Sequence, residues 1–340
     1  MRPTVHDIAA EAGVSLATVD RVLNARPGVR QKTVDKVQAA VARLGYVRDV
    51  TAANLAKKRV YPLVFILPEG PNSFMRGLEA EIRAAMQRSP VERTSIEIET
   101  VPPFDPKAIV SALDALDPAK VNGVALVATD TPDVTAAVDR LIGKGVHVAT
   151  LVSDLPGSQR IHFCGIDNLA AGRTAGGLIG RFCSGRAGKA AVVAGSMKLS
   201  DHMDRAAGFA AVLNSEFPEL SIVGPVETND DADAVRQAVT AALEADSDIT
   251  AVYSLGAGTR GLIEALAGYR QRKLAVVAHE VTEHSRQALA DGLFDAVINQ
   301  DCGHEVRSAI RVLKARADGL MPISAQERIR IDIFLKDNLP

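Results

Sequence analysis

The feature that most limits the possible folds is a regular alternation of short apolar runs and amphipathic stretches that begins at Pro62. The apolar runs that predict strands are PLVFILP, SIEIETV, GVALVA, HVATLV, KAAVVAG, LSIVGPV, ITAVYSL, KLAVVAH and FDAVINQ. The stretches that predict helices lie near 74–88, 106–116, 132–144, 168–183, 202–216, 231–245, 257–268 and 282–291. Strands that alternate with helices form parallel sheets with right-handed crossovers. One compact sheet cannot hold so many units, so the pattern predicts an α/β protein with two similar lobes.

The residues before this alternation show a different pattern. Apolar residues recur at i, i+3, i+4 and i+7 in a first short helix: Val5, Ile8, Ala9 and Ala12. Thr4 can cap this helix, Gly13 breaks it, and Ser15 can cap a second helix. Four side chains of the second helix face away from its apolar side: Leu16, Ala17, Asp20 and Arg21. Two such helices predict either a helix-turn-helix, whose second helix enters the DNA major groove, or an ordinary helical hairpin.

A third helix completes this N-terminal part of the chain. Its apolar residues are Val34, Val37, Val41 and Leu44. Gly45 directly follows the stripe and is a typical helix stop. We therefore expect a three-helix head that is complete by Tyr46.

Charge is unevenly distributed between the head and the rest of the chain. Residues 1–60 carry 11 Lys and Arg against 5 Asp and Glu, whereas the remaining residues carry 28 against 36. A basic head on an acidic body indicates that only the head contacts nucleic acid.

Cysteine usage and hydropathy limit the compartment. Cys164, Cys183 and Cys302 are far apart in the sequence, which predicts buried thiols in a reducing cytosol rather than a disulfide framework or a metal site. No apolar run is long enough to span a bilayer, and the N-terminus lacks a signal-like apolar region. We expect a cytoplasmic protein that does not contact membranes.

The amino-acid sequence of the head resembles that of a known protein family. The segment V-S-x-x-T-V-x-R-V-L-N, followed by P-G-V-R-x-x-T, Gly45-Tyr46-Val47 and Ala53-Asn54-Leu55-Ala56, resembles the lactose-repressor (LacI/GalR) family of bacterial transcription regulators. The resemblance implies a set of DNA-contacting residues: Thr4, Ser15, Leu16, Ala17, Thr18, Arg21, Asn24, Thr33 and Leu55. Asp20 departs from the pattern, because the family usually carries Ser there.

The same resemblance implies the domain boundaries. Residues 1–46 would form the DNA-binding head and 47–60 a hinge that orders on DNA. Residues 61–340 would form an effector-binding core similar to periplasmic sugar-binding proteins. Its first lobe would comprise about 61–163 and 300–325, and its second about 164–299 and 326–340, with a cleft between them.

Resemblance to ribose-binding proteins implies which residues bind the effector in that cleft. Asn72, Phe74 and Met75 match a segment that supplies an amide and an apolar surface for a sugar. Arg205 matches an arginine that reaches the bound sugar, Glu280 replaces an Asp, and Gln300 matches a cleft amide. Ser153 and Asp154 stand where that family has an Asp-Arg pair, a departure that argues against ribose. An arginine and a carboxylate together suit vicinal hydroxyls.

A glycine-rich segment supports an alternative hypothesis. Gly256-Ala257-Gly258-Thr259-Arg260-Gly261 follows a predicted strand and opens a predicted helix, and Glu280 lies 24 residues after Gly256. This is close to the fingerprint of a dinucleotide site. However, the segment lies late in the second lobe, and a turn at a cleft needs glycines for backbone reasons as well. A regulator that senses a nucleotide such as NAD therefore remains the alternative.

The sequence gives little support for a zinc site or a catalytic nucleophile. His279 and His284 are five residues apart, whereas a zinc-binding helix needs four. No G-x-S-x-G motif or Cys/His pairing indicates a nucleophile. We expect a protein that is not an enzyme and uses no cofactor or metal.

These observations predict a ligand-responsive transcription regulator. We expect a homodimer whose two heads bind double-stranded DNA at a pseudo-palindromic operator. The resemblance favours a repressor of a catabolic or transport operon, with a sugar or polyol as the effector.

Overall fold

The computed structural model describes residues 3–24, 26–46 and 59–340, which fall into two compact units, Met1–Arg59 and Val60–Pro340. Most of the predicted hinge, including Leu55, lies outside the described residues. Among the described residues, every helix is too short or too polar to span a lipid bilayer.

The head is a three-helix unit, as predicted. Its helices are α1 (Val5–Ala12), α2 (Leu16–Leu23) and α3 (Gln31–Leu44). Thr4 and Asp7 form a reciprocal capping box at the start of α1, and Gly13 ends it in the left-handed conformation at φ 64°. The apolar stripes of the three helices meet in one small core formed by Ile8, Ala12, Val19, Val37 and Ala40.

The first sheet of the second unit is entirely parallel. Its strands are β1 (Tyr61–Pro68), β2 (Thr94–Val101), β3 (Gly123–Leu126), β4 (His147–Leu151) and β5 (His162–Cys164), in the order β2-β1-β3-β4-β5. The helices that pack on it are α4 (Ser73–Glu92), α5 (Pro106–Ala115), α6 (Pro132–Gly143) and α12 (Cys302–Ala317).

The second sheet has six strands. These are β6 (Gly188–Ala194), β7 (Leu220–Glu227), β8 (Ile249–Ser254), β9 (Ala275–His279), β10 (Ala296–Asn299) and β11 (Asp332–Phe334), in the order β11-β10-β9-β8-β6-β7. Only β11 runs antiparallel to its neighbour. The helices of this region are α7 (Asn168–Phe182), α8 (Ser200–Glu216), α9 (Ala232–Ala245), α10 (Thr259–Ala267) and α11 (Glu283–Ala290), with a 3₁₀ turn at Arg270–Arg272.

Helices cover both faces of each sheet, which explains the continuous apolar runs in the sequence. In β1, Leu63 and Phe65 belong to one buried cluster, and the alternating residues Val64 and Ile66 belong to another. The second sheet has two clusters of its own. The predicted α/β class with parallel sheets is confirmed.

Three elements were not predicted from the sequence. Helix α12 crosses back to the first sheet after β10, and the short strands β5 and β11 extend the sheet edges. Helix α12 buries Glu305 and Ser308 beside Val306 and Ile310, so its apolar stripe is interrupted by polar residues. Strands of three residues are too short for a period-two pattern to reveal them.

Candidate functional site

Helix α2 presents an exposed face on the head. Val19 is buried in the head core, whereas Leu16, Ala17 and Arg21 are exposed. The hydroxyl of Ser15 caps the helix by accepting a hydrogen bond from the Thr18 amide at 3.2 Å. A capped helix with a short exposed face has the geometry of a helix that enters a major groove.

Asp20 lies on the same helix and is held by neighbouring groups. The side-chain amide of Asn24 donates to its carboxylate at 2.7 Å, and Arg26 donates to it at 3.1 Å. Asn24 also donates to the backbone carbonyl of Asp20 at 2.8 Å. Arg26 therefore partly neutralises the acid that departs from the family pattern.

The second unit contains a cleft between the carboxyl ends of the strands of its two sheets, where open α/β sheets bind ligands. The cavity has a volume of about 230 Å³. Val152 follows β4 and Glu280 follows β9, and both have left-handed backbones, with φ of 62° and 66°. A β-branched residue at positive φ is a backbone outlier, and such outliers concentrate at ligand sites.

Arg205 is the central cation of the cleft, although only 2% of its surface is exposed. Its Nε donates to the Asn168 side chain at 2.8 Å, and its Nη1 donates to the Leu255 carbonyl at 2.7 Å. The carboxylates of Glu280 and Asp201 lie 3.6 and 3.9 Å from the guanidinium. Helix α8 thus carries a buried positive charge into the cleft with its orientation fixed by two hydrogen bonds.

Glu280 lies between this arginine and Gln300. The Gln300 side-chain amide donates to one of its carboxylate oxygens at 2.8 Å. Burial raises the pKa of Glu280 to about 7, against the opposing effects of Arg205 and Gln300. The carboxyl therefore changes its protonation state near neutral pH.

Four buried polar atoms around these residues have no hydrogen-bond partner within the described residues. They are Arg205 Nη2, Asp201 Oδ1, Gln300 Oε1 and His279 Nδ1. Buried polar atoms in folded proteins are nearly always paired with protein, water or ligand. Donors and acceptors that lack a hydrogen-bond partner thus belong to residues that line the cleft.

Asp230 enters the cleft from a tight turn between β7 and α9. Asn229 and Asp230 are both left-handed, with φ of 48° and 58°, and the Asp231 amide bonds the Thr228 carbonyl at 3.0 Å. Asn and Asp are favoured at two adjacent left-handed positions of this kind. Burial raises the pKa of the Asp230 carboxyl. Its oxygens accept from the Ala257 amide at 3.0 Å and from the Asn72 side chain at 3.1 Å.

Further hydrogen bonds cross the cleft directly. The Ser200 hydroxyl accepts from the Asp154 amide at 2.7 Å and lies 3.2 Å from the Ser153 hydroxyl. The Asp130 amide donates to the Lys198 carbonyl at 2.9 Å. The segments that follow the two sheets are thus tied together at several points.

Two family models match the chain. Residues 63–321, more than half of the chain, match the periplasmic binding protein domain, and residues 4–49 match the bacterial regulatory proteins of the lacI family.

The chain is a LacI-family protein with a periplasmic-binding-protein core.

Curated relatives of this LacI-family protein are transcriptional regulators rather than enzymes. It is 27% identical over 158 residues to the HTH-type transcriptional regulator DegA of Bacillus subtilis, a match that covers 46% of this chain and 45% of DegA. It is 41% identical over 83 residues to catabolite control protein A of Priestia megaterium, which covers 23% of this chain and 25% of that protein. The chain thus matches less than half the length of either relative.

Solved structures show where the core's fold recurs. A glucose-galactose binding protein, GanP, from Geobacillus stearothermophilus superposes with a TM-score of 0.74 at 19% identity, covering 83% of this chain and 99% of GanP. A solute-binding protein from Burkholderia graminis in complex with D-arabinose gives the same TM-score at 21% identity, covering 82% and 96%. These likenesses establish the fold of the LacI-family core.

The structure brings most of the predicted effector residues to one cavity. Those that line it are Asn72, Phe74, Met75, Ser153, Arg205, Glu280 and Gln300. Asp154 does not line it, because its carboxylate is bound by Arg160 and by the Thr150 hydroxyl. Asp154 orders the loop that carries Ser153.

The glycine-rich segment of this LacI-family protein has a packing role. A Cβ on Gly261 would overlap the carbonyl oxygen of Ala232, so this glycine lets α10 pack closely against α9. Gly256 lies where a Cβ would meet the His202 ring at 2.7 Å, and Gly258 has φ 89°. The comparisons with relatives do not support the nucleotide-sensing alternative.

The histidines of the rejected zinc pattern have separate surroundings. His279 is buried, with its Nε2 2.9 Å from the Tyr253 hydroxyl, and burial lowers its pKa well below the usual value. His284 lies on α11 at the margin of the cleft.

Several cleft residues were not predicted from the sequence. Asp201 and His202 lie in the first turn of α8, and Asp230 lies in the turn after β7. Each follows the carboxyl end of a strand of the second sheet, and this position could have identified them. Thr282 caps α11 and also lines the cleft.

The predicted DNA-contacting residues lie at three places on the described head, and Asn24 is at the C-terminal cap of α2. Ser15, Leu16, Ala17, Thr18 and Arg21 belong to α2 or its cap, and Thr4 caps α1. Thr33 lies in the first turn of α3 and is half-buried.

Proposed function

We propose that this protein is a ligand-responsive transcription regulator that represses an operon for the catabolism or transport of a sugar or polyol. The head would bind DNA through α2, and the cleft would bind the effector. We propose that it acts in the cytoplasm, because its target would be chromosomal DNA. The observation that carries the effector class is the set of buried polar atoms around Arg205 that lack a hydrogen-bond partner within the described residues.

Those atoms favour a ligand rich in hydroxyl groups. A hydroxyl both donates and accepts, so adjacent hydroxyls can satisfy the donor Arg205 Nη2 together with the acceptors Asp201 Oδ1 and Gln300 Oε1. Hydrogen bonds to charged groups in a buried site are stronger than neutral ones. The acidic residues of the cavity lining, Asp201, Asp230, Asp231, Asp233 and Glu280, outnumber its arginines, Arg76, Arg205 and Arg260, and this balance disfavours a phosphorylated ligand.

The exposed face of α2 supports the DNA-binding part of the proposal. Leu16, Ala17 and Arg21 are exposed on α2, and arginine makes bidentate contacts with guanine. We propose that two copies of the chain bind a pseudo-palindromic operator, because the symmetry of a dimer requires half-sites in mirrored order.

The proposal links the two activities through the hinge. Leu55, which lies outside the described residues, would enter the minor groove as an apolar wedge when two hinges pair on the operator. Closure of the cleft on a ligand would change the affinity of the dimer for DNA. Such coupling requires the ligand to bind the two states with different affinities.

The proposal is tested with the full chain, a library of random DNA duplexes and a panel of small molecules. Repeated selection from random duplex DNA should enrich a mirrored pair of half-sites, and affinity for them should fall steeply between 50 and 200 mM salt, as phosphate contacts require. A panel of sugars, polyols and nucleotides is then screened by thermal shift, because a bound ligand stabilises the folded state. Stabilisation by a sugar or polyol that also changes operator affinity supports the proposal. Stabilisation by NAD(H) alone, or enrichment of no DNA sequence, would contradict it.

A further inference from the structure

A second cavity adjoins the cleft beside the first sheet, and we call it the side chamber. It has a volume of about 170 Å³. The apolar residues that line it but not the cleft include Val101, Pro103, Phe104, Ile109 and Ala128. The side chamber is therefore more apolar than the cleft it adjoins.

The cleft and the side chamber meet at the Asn72–Asp230 hydrogen bond. Both residues line both cavities, as do Met75, Val127 and Leu199. The bond is 3.1 Å long and joins side chains of two different segments. A ligand that replaces this bond with its own polar groups would make the two cavities one.

The volumes indicate a ligand larger than a single sugar ring. Pockets for small molecules typically measure about 300–1,000 Å³. The cleft alone falls below that range at about 230 Å³, and the two cavities joined fall within it. An apolar cavity of about 150 Å³ holds a benzene ring. The side chamber is therefore large enough for one aromatic ring.

Charge limits what the side chamber can hold. Its lining contains Glu69, Asp230 and Asp231, and the described residues place no Lys or Arg in it. A phosphate or carboxylate would face like charges without a counter-ion, at an energetic cost. A neutral apolar group meets no such cost.

Two further observations mark the side chamber as a ligand site. The Thr129 hydroxyl is buried, with the residue 2% exposed, and it has no partner within the described residues. Phe104 has a left-handed backbone with φ 59°, a conformation that bulky residues rarely adopt. Strained residues and unpaired buried polar atoms both concentrate at functional sites.

We infer that the effector carries a neutral aryl group joined to its sugar or polyol part, and that this group occupies the side chamber. The hydroxyls would bind Arg205 and Glu280 in the cleft, and the ring would pack against Phe104, Ile109 and Met75. A phenolic hydroxyl on the ring would bond Thr129. This inference rests on the proposed function in one respect, because it assumes that the cleft binds hydroxyl groups.

The test compares matched ligands on the full chain by calorimetry without DNA. The probes are free glucose, galactose, xylose and arabinose, with the methyl, phenyl and 4-hydroxyphenyl glycosides of each. For at least one sugar, we expect the phenyl glycoside to bind at least tenfold more tightly than the methyl glycoside, because the ring leaves water for an apolar space.

Two variants test whether the affinity gained from the phenyl group arises in the side chamber. Phe104→Ala should remove most of the advantage of the phenyl glycoside and leave the affinity for the methyl glycoside unchanged. Thr129→Val keeps the side-chain shape but lacks the hydroxyl. It should weaken binding of the 4-hydroxyphenyl glycoside only, and circular dichroism would verify its fold.

The outcomes separate this inference from the proposed function. Equal affinity for methyl and phenyl glycosides would overturn the inference while leaving a sugar effector standing. Binding of phenol alone with the affinity of the phenyl glycoside would also overturn it, because the side chamber would then be an independent site. If no sugar or glycoside bound, both the proposed effector class and this inference would fall.

Discussion

The side-chain amide of Asn72 donates a hydrogen bond to the carboxylate of Asp230 at 3.1 Å, and this bond crosses the cleft. Asn72 lies at the start of α4 beside the first sheet, and Asp230 lies in the turn that follows β7 of the second sheet. The same Asn72 side chain caps α4 by accepting from the amides of Phe74 and Met75 at 3.0 and 3.2 Å. One residue thus both starts a helix and holds the cleft closed.

Asn72→Asp separates these two roles. The carboxylate can still cap α4, but it cannot donate to Asp230 and it repels that carboxylate. We expect ligand affinity to fall by about tenfold, because a ligand that displaces Asp230 from Asn72 then lacks the amide donor, and a hydrogen bond contributes about 1 to 1.5 kcal/mol. Small-angle X-ray scattering of the full chain should show a larger radius of gyration without ligand. Asn72→Ser, which caps without adding charge, should produce a smaller change; equal effects of the two variants would refute the repulsion argument.

Glu280 should make the stability of the core depend on pH. Its pKa is about 7 in the folded chain against an ordinary value of 4.5, so the folded state holds this proton where the unfolded state has released it. The stability from this group is therefore fully present below about pH 4.5 and is lost as pH rises through about 7. Glu280→Gln should gain thermal stability relative to the unmodified chain as pH rises between those values, measured by circular dichroism. Parallel melting curves across this range would contradict the argument.

Asp20 should weaken DNA binding. Asp20→Ser removes an acid near the phosphates and releases Arg26 from its 3.1 Å ion pair. Both partners of the pair are more than half exposed, so head stability should change by less than about 1 kcal/mol. We expect tighter binding to the selected operator and a salt slope steeper by about one unit if Arg26 then contacts a phosphate. Asp35→Ser on α3 serves as the matched control. An equal gain in operator affinity for Asp35→Ser would show that the effect of Asp20→Ser arises from net charge alone.

Gly261→Ala should destabilise the second unit. The new methyl group would overlap the Ala232 carbonyl oxygen and force α9 and α10 apart, and overpacking of this kind costs about 1–3 kcal/mol. Gly268→Ala is the matched control, because a Cβ there meets nothing within 4 Å. Urea unfolding of both variants measures the difference. An unchanged unfolding free energy for Gly261→Ala would remove the packing explanation of the glycine-rich segment.

Arg205→Lys should abolish ligand binding while operator binding persists. Lysine keeps the charge but cannot donate at once to Asn168, to the Leu255 carbonyl and to a ligand with arginine's fixed geometry. Calorimetry should show at least a hundredfold loss of affinity for the effector. Arg181→Lys on α7 provides the control, because Arg181 does not line the cleft and its Nη1 donates to the Gly177 carbonyl. Undiminished affinity of Arg205→Lys would exclude the guanidinium from the site.

The sequence predicts the architecture well wherever an element buries a regular apolar pattern. Nine strands and the helices between them follow from runs such as those of β1 and β3, because both faces of each sheet are covered. Helix α12 was not predicted because its apolar pattern is interrupted. Glu305 and Ser308 occupy buried positions in its apolar stripe. Burial raises the pKa of Glu305 well above its usual value, which lowers the cost of holding this carboxyl within the apolar stripe.

The cleft is less predictable because several of its residues lie in turns that follow the strands. Arg205 and Gln300 follow from a family pattern, but Asp230 depends on two left-handed residues that set its direction. Asp154 was predicted to bind the effector, but Arg160 binds its carboxylate instead. Arg160 lies in a loop that no periodic pattern describes, so the sequence did not reveal this contact. Sequence spacing identifies the strand after which a polar residue lies, whereas the backbone conformation of the turn decides whether that residue enters the cleft.

If the protein has the proposed function, the hydrogen bonds across the cleft also affect gene expression. Asn72 with Asp230, and Ser200 with Asp154, hold the two sides together through the chain's own groups. If closure changes operator affinity, these bonds set how often an unliganded molecule already adopts the liganded form. To shift the ratio of closed to open molecules from 1:99 to 99:1, a ligand needs about 5.5 kcal/mol of differential binding. Stronger bonds across the cleft already favour the closed form without ligand, so a ligand can change this ratio less. Substitutions at these residues would therefore tune the transcription that leaks through before any ligand arrives.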